Sequence, residues 1–464
     1  MKNITLYETA KDSGARVQLT ELSQRKSTAA HPMCVLSFDE AKEFQTIQGF
    51  GGALTESSAY VLTKLSKEKR HEVLEAFFGK NGNRYSVARS HINSCDFSLG
   101  NWTCVDTKDE SLESFSMERA EQYVVPLIED CFSIVTDSQK KELMLMLSPW
   151  SPPAWMKDNG EMNHGGKLLP QYKALYADLI LRYIEALEKK GIPIWALSIQ
   201  NEPAAVQTWD SCIWSAEEEA EFACEYLGPL LEKNGKAYIK IFVWDHNRDL
   251  LLERFSKSME HADAQKYIAG AAYHWYSGDQ YENVKAVYEQ YPDKMLIFTE
   301  GCIEGGPRNG AWFSGERYAH NIINDLLNGC TTWIDWNIVL NTEGGPNHVG
   351  NYCDAPVLID EKTKEVFYQS SYYYLGHFSR FIQPMAKRID SNLWTGMIPA
   401  APDGRAGTMI EGLAVKNPDG SIVLVLCNRT EDTISYKIES KNTGESDILF
   451  IPPRSMHTMK VEND

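Results

Sequence analysis

Long apolar runs are missing from this chain. No stretch of about 18 apolar residues occurs among its 464 positions, so a membrane-spanning helix is not expected. The first eighteen residues are polar and mixed in charge. They show no apolar segment ahead of a small-residue cleavage site, so the expectation is a cytoplasmic protein, or one exported without a cleavable signal. Paired cysteine motifs are missing as well. The ten cysteines contain no CxxC, and several sit inside apolar strand-like runs, which points to buried thiols in a reducing compartment. Metal-ligand spacing is absent: His246, His261, His274, His320 and His348 are scattered without HExxH, so no metal is expected. The glycine-rich pieces at 49–52 and 344–346 match neither GxxxxGK[ST] nor GxGxxG, so they read as tight turns and no cofactor is expected. Single-sign charge blocks are lacking too. The net charge of −18, from 64 acidic and 46 basic residues, is spread along the chain and argues against a nucleic-acid partner.

What is present is ample core material, 43% hydrophobic with 11% aromatic, enough for one large domain and a smaller one. Eight short apolar runs alternate with helical patterns, at 46–53, 86–92, 143–150, 194–200, 239–244, 268–276, 295–299 and 331–340. Near-continuous apolar strands alternating with helices imply a parallel sheet covered on both faces, and eight repeats favour a closed (β/α)8 TIM barrel. The clearest helix follows the third run. Tyr172, Leu175, Tyr176, Leu179, Ile180, Tyr183, Ile184 and Leu187 make a core-facing stripe, and Gly191 supplies a stop. A second helical stretch is expected over 57–78.

Beyond about residue 390 the pattern changes to short alternating runs at 413–416, 421–427, 433–438 and 447–451, with a turn at Asn417-Pro418-Asp419-Gly420. The first forty residues hold similar β-prone pieces at 15–19 and 33–38. A side β-sandwich built from both termini is therefore expected. The implied division is 1–45 for N-terminal strands, 46–389 for the barrel and 390–464 for C-terminal strands.

The strand ends carry the chemistry. They read Gly51-Gly52, Asn93-Ser94-Cys95-Asp96, Ser148-Pro149-Trp150, Asn201-Glu202-Pro203, Asp245-His246-Asn247, His274-Trp275-Tyr276, Glu300 and Asp335-Trp336-Asn337. Side chains just past the last residue of a parallel strand stand where α/β enzymes assemble their sites. Two of them, Glu202 and Glu300, each close an apolar run. Such a pair of carboxylates can divide acid and nucleophile roles in glycoside hydrolysis.

Taken in order, Gly49-Phe50-Gly51-Gly52-Ala53, Ser94-Cys95-Asp96-Phe97-Ser98, Ser148-Pro149-Trp150-Ser151-Pro152-Pro153-Ala154-Trp155, Asn201-Glu202-Pro203, His274-Trp275-Tyr276, Thr299-Glu300, Asp335-Trp336-Asn337 and Glu343-Gly344-Gly345-Pro346-Asn347 resemble glycoside hydrolase family 30, close to its glucosylceramidases. The resemblance implies a (β/α)8 barrel with a side β-sandwich and hydrolysis of terminal β-D-glucosyl residues, with a β-glucoside or glycolipid as the partner. It implies Glu202 as acid/base and Glu300 as nucleophile, with Arg89, Tyr276 and His274 in support. Burial among aromatics is expected to raise the pKa of Glu202, and Arg89 with Tyr276 to keep that of Glu300 low. Substrate contacts are implied for Glu56, Trp150, Asn201, Trp336 and Asn351. Glu56 is one methylene longer than the aspartate that mammalian members carry in this motif, and it is expected to take distal sugar hydroxyls. Other specificities of the same family, a β-1,6-glucanase, β-xylosidase or β-galactosidase, remain alternatives, as does a non-catalytic carbohydrate-binding barrel.

Overall fold

The computed structural model describes residues 3–139, 142–396 and 409–462. Residues 1–2, 397–408 and 463–464, which belong to the segments assigned to terminal strands, lie outside the described residues.

Eight parallel strands close into a barrel: β1 (Gly49–Ala53), β2 (Val87–Ile92), β3 (Met144–Pro149), β4 (Ile194–Ser198), β5 (Lys240–Asn247), β6 (Ile268–His274), β7 (Met295–Glu300) and β8 (Thr332–Asn337). They run in sequence order, and β8 pairs with β1 to complete the ring. The interior is a packed layer, with Val87, Met146, Ala196, Phe242, Ala272, Ile297 and Ile334 contributed by seven of the strands. On the eighth, β1, a Cβ at Gly51 would fall 1.7 Å from the Val87 carbonyl oxygen, so the close approach of β1 to β2 requires glycine there.

The helix expected after β3 spans Lys173–Glu188 and buries Tyr176, Leu179, Ile180, Tyr183, Ile184 and Leu187. The stretch expected as one helix over 57–78 is two, Glu56–Leu62 and Lys67–Phe78. Ser66 accounts for the break: its side chain accepts from the Lys69 N–H and caps the second helix. The fifth strand runs three residues beyond its apolar stretch, carrying Asp245 within the barrel wall.

Among the described residues nine strands form the side sheet, and its longest, Cys34–Ile47, leads through Gln48 directly into β1. It pairs with Ala386–Trp394 on one side and with Ile434–Ser440 on the other, so both chain ends build the β-sandwich. Ile4–Ala10 and Ser455–Val461 pair antiparallel within it. Neither was legible in the residue pattern. Leu36, Phe38, Ile389, Leu424 and Ile438 belong to a second apolar core distinct from that of the barrel. No described helix is long and apolar enough to cross a membrane, and all ten cysteines are buried free thiols.

Candidate active site

At the C-terminal ends of the strands one buried cation organises the site. Arg89, on β2, is fully buried. Its Nη1 donates to Glu300 Oε2 at 2.7 Å, its Nη2 to Asn201 Oδ1 at 2.7 Å and Asp245 Oδ2 at 2.8 Å, and its Nε to Ser148 Oγ at 3.1 Å. The guanidinium carbon lies 4.7 Å from the Trp150 ring centroid and 5.6 Å from that of Trp336. A lysine could not hold this planar fan of donors.

Asp245 is the counterweight. Besides Arg89 it accepts from Ser198 Oγ at 2.5 Å and Thr299 Oγ1 at 2.6 Å, and His274 Nε2 lies 3.2 Å away. Burial alone would raise its pKa, but Arg89, His274 and Ser198 hold it well below the usual carboxylate range. Asp245 joins the wall with φ near 48°, and Glu202 has φ near 49°, left-handed values that L residues adopt at a cost. The Glu202 N–H donates to the Asp245 carbonyl at 3.0 Å, which fixes both.

His274 links the two halves, with Nδ1 3.2 Å from Glu202 Oε1. Burial would depress its pKa, but Glu300, Asp245 and Glu202 together raise it to about 9. Glu300 also accepts from the Tyr276 hydroxyl at 3.0 Å. Glu202, His274 and Glu300 each place a donor atom within 4.8 Å of the others. These three form the only group with metal-ligand geometry among the described residues. Sequence spacing could not show it, because each member comes from a different strand. An imidazole holding both protons has no lone pair to offer, so the set suits proton sharing better than metal ligation below about pH 9.

The acidities differ from the sequence expectation. Burial pushes Glu300 up, and the Glu202 charge adds to this, against His274 and Arg89. Burial also acts to raise Glu202, but His274 and His246 outweigh it and hold that carboxyl below its ordinary value. The imidazolium between them, invisible as a neighbour in sequence, reverses the order. The two carboxyls therefore titrate as a coupled set.

The site opens into a cavity of about 190 Å³. Its deep end is buried, formed by Asp96, Trp150 and Trp336, with the two tryptophan rings stacked at 5.3 Å. Its mouth is more open, bordered by Glu202, Gln207, Trp209, His246 and Glu304. Asn201, Tyr276, Glu300 and Asn351 also face it.

Glu56 is not among the residues that line the cavity: Trp102 Nε1 donates to its Oε2 at 2.9 Å, and Arg119, in the short helix Glu118–Gln122, pairs with its Oε1. The segment after β2 thus engages both its oxygens. The carboxylate at the deep end is instead Asp96, whose Oδ2 accepts from Asn347 at 3.3 Å and Asn351 at 3.4 Å while Oδ1 has no protein partner among the described residues. Burial, with the charges of Glu300 and Asp210, raises its pKa to about 8. The signal for Asp96 was a carboxylate at the end of β2; Asp245 was likewise visible only as a strand-end aspartate.

The His274 shift sets a pH dependence. A folded value near 9 against roughly 6.5 unfolded means stabilisation fully present below about pH 6.5 and lost as pH rises through 9. Asp245→Asn should remove about 3–5 kcal/mol of stability, because it strips a buried partner from Arg89. It should also lower the His274 pKa. Urea unfolding and an NMR titration of the imidazole measure both; an unmoved His274 pKa would refute the linkage.

A parallel eight-stranded barrel with paired carboxylates at its C-terminal rim is an arrangement that glycoside hydrolases use. Residues 47–382 match the glycosyl hydrolase family 30 TIM-barrel domain and residues 386–459 the family's beta sandwich domain. The chain belongs to glycosyl hydrolase family 30. It is 33% identical to the lysosomal acid glucosylceramidase of Mus musculus, over 91% of this chain and 82% of that protein. Among solved structures, SrfJ from Salmonella typhimurium superposes with a TM-score of 0.90 at 33% identity, covering 100% of both chains. The endo-beta1,6-glucanase BT3312 superposes with a TM-score of 0.85 at 27% identity, covering 99% of both.

Proposed function

We propose that the protein is a retaining β-glycosidase that removes single terminal β-D-glucosyl residues from glucosylceramide or other β-glucosides with apolar aglycones. The observation that carries the retaining mechanism is the approach of Glu202 and Glu300 oxygens to within 4.8 Å. Inverting enzymes need about 6.5–9.5 Å between carboxyls to seat a water, whereas retaining ones use about 5–5.5 Å.

In this reading Glu300 attacks the anomeric carbon while Glu202 protonates the departing oxygen, and Glu202 then deprotonates the water that releases the sugar. Arg89 and Tyr276 hold the nucleophile by one oxygen each and aim it. The proton that Glu202 delivers is drawn from the coupled pair with His274. Asn201, its carbonyl oxygen committed to Arg89, keeps its NH2 group for the sugar 2-hydroxyl. Asp96 and Asn351 take the distal hydroxyls, and Trp150 and Trp336 flank the ring.

The likeness to an endo-acting β-1,6-glucanase makes that activity the second reading. The buried deep end favours a pocket for one sugar. Product analysis separates them: on a β-1,6-linked gluco-oligosaccharide and on a glucosyl lipid, glucose should be the sole sugar released, with the β-anomer appearing first by NMR. Mixed oligomers would establish the endo reading, and an α-anomer would overturn retention.

Asp96→Asn should lower kcat/KM for aryl β-glucosides about 10–100-fold, the loss of hydrogen bonds to the sugar that leaves a buried polar group unsatisfied at about 1–3 kcal/mol. Aryl β-xylosides, which lack the 6-hydroxyl, should lose less. Equal losses on both would remove Asp96 from recognition of the 6-hydroxyl.

A further inference from the structure

Two thiols face the same cavity and have no part in the proposed hydrolysis. Cys302 lies two residues beyond Glu300, and Cys353 two residues beyond Asn351. Their segments run antiparallel side by side: Glu304 bridges to Cys353, and the Asp354 N–H donates to the Ile303 carbonyl at 2.9 Å. Both thiols line the cavity, and the Cys353 thiol donates weakly to the Asn351 carbonyl at 3.8 Å. The Cys302 sulfur also sits 3.4 Å from the Tyr276 hydroxyl, the group that holds Glu300. The other eight cysteines are buried elsewhere, and none of them borders this cavity.

We propose that Cys302 and Cys353 form a two-thiol site for a soft, thiophilic cation in the wall of the active-site pocket, and that a cation held there stops the enzyme. Thiolate sulfur selects soft metals over the hard ions that carboxylates prefer. A cation bridging the two sulfurs would occupy the pocket beside Tyr276 and Glu300, where the sugar must sit.

The bond changes set which ion fits best. For mercuric ion, two S–H bonds break, two Hg–S bonds form and two protons pass to solvent, so the charge of the site is unchanged. Cuprous or silver ion releases the same two protons but leaves the site one charge more negative, next to Glu300 and Asp96. A buried pocket resists an added charge that no cation balances. The divalent soft ion should therefore bind most tightly, and both kinds of ion should weaken alike as pH falls, because each displaces two protons. The neighbouring Cys353 thiol and burial keep the Cys302 thiol well above its ordinary pKa, so a proton-displacing metal is better suited to it than alkylating reagents that need a free thiolate.

The test uses the whole chain, mercuric chloride as the probe, and Cys302→Ser, Cys353→Ser and Cys353→Val. Native mass spectrometry after washing with glutathione should find one mercury retained by the wild type and none by any single variant. Two sulfurs acting together should exceed one by about 100-fold in apparent affinity, so each variant should need about 100-fold more mercury for half inhibition, measured against its own metal-free activity. Dithiothreitol should restore the wild type. Zinc, less thiophilic than mercury, should not distinguish the wild type from the thiol variants. Retention of mercury by the variants, its mapping to other cysteines, or full activity of the mercury-bound wild type would overturn the proposal. The mass measurement does not depend on the assigned substrate, so a chain inactive on β-glucosides would refute the proposed function and leave this site to be judged on its stoichiometry.

Discussion

Glu300→Gln should reduce turnover of β-glucosides by about 10⁵-fold or more, the scale on which removal of a covalent nucleophile is felt. The fold should survive. The amide oxygen of glutamine can still accept from Arg89, which now donates to Glu300 Oε2 at 2.7 Å, while the amide NH2 can donate to the Tyr276 hydroxyl oxygen in place of the bond it now receives at Oε1. Arg89 also keeps Asp245, so the guanidinium is not left without an anion. The melting temperature should accordingly shift by only a few degrees. A 2-deoxy-2-fluoroglucoside with a good leaving group should accumulate a covalent adduct on the wild type, because the fluorine slows release of the sugar, and the labelled peptide should contain Glu300. Three other carboxylates face the cavity, Glu202, Asp96 and Glu304, so the label has real alternatives. Attachment to any of them, or activity of the variant above about one per cent, would remove Glu300 from the nucleophile role.

The barrel was legible because eight apolar runs with polar ends impose a period that the fold obeys. Its boundaries were less so: β5 extends through Asp245 and His246, charged and polar residues that end an apolar pattern without ending the strand. The terminal strand Ser455–Val461 escaped notice because its residues alternate only weakly. At the site, the residues brought together are those whose motifs sit on strand ends: Arg89, Asn201, Glu202, His274, Tyr276 and Glu300. The direction of Glu56 was not legible, because a sequence motif does not say which way the first side chain of a helix turns. Trp102, from the loop after β2, and Arg119, from the short helix Glu118–Gln122, engage it, and no periodicity announces that path. The electrostatics were the least legible. His274 contacts Glu202 and Asp245 from 72 and 29 positions away, and that bridge decides which carboxyl is held low.

The same bridge shapes the second large effect. Glu202→Ala should slow glucosides with poor leaving groups, such as alkyl glucosides, by about 10²–10⁴-fold, since their departing oxygen needs a proton in the transition state. Dinitrophenyl glucoside departs without one. Its first step should remain within about tenfold, and the glycosyl-enzyme should then build up because no base activates water. Azide, small enough for the space the carboxylate leaves and needing no deprotonation, should restore turnover and yield β-glucosyl azide. Backbone strain should not confuse the comparison: alanine at φ near 49° has much the same conformational cost as glutamate there. The variant also takes an acceptor from His274, so the imidazole pKa should fall from about 9. If His274 were itself the proton donor to substrate, Glu202→Ala would slow activated and unactivated glucosides alike and azide would not help. A steep dependence on leaving group with azide rescue assigns the proton to Glu202 and leaves His274 as its reservoir.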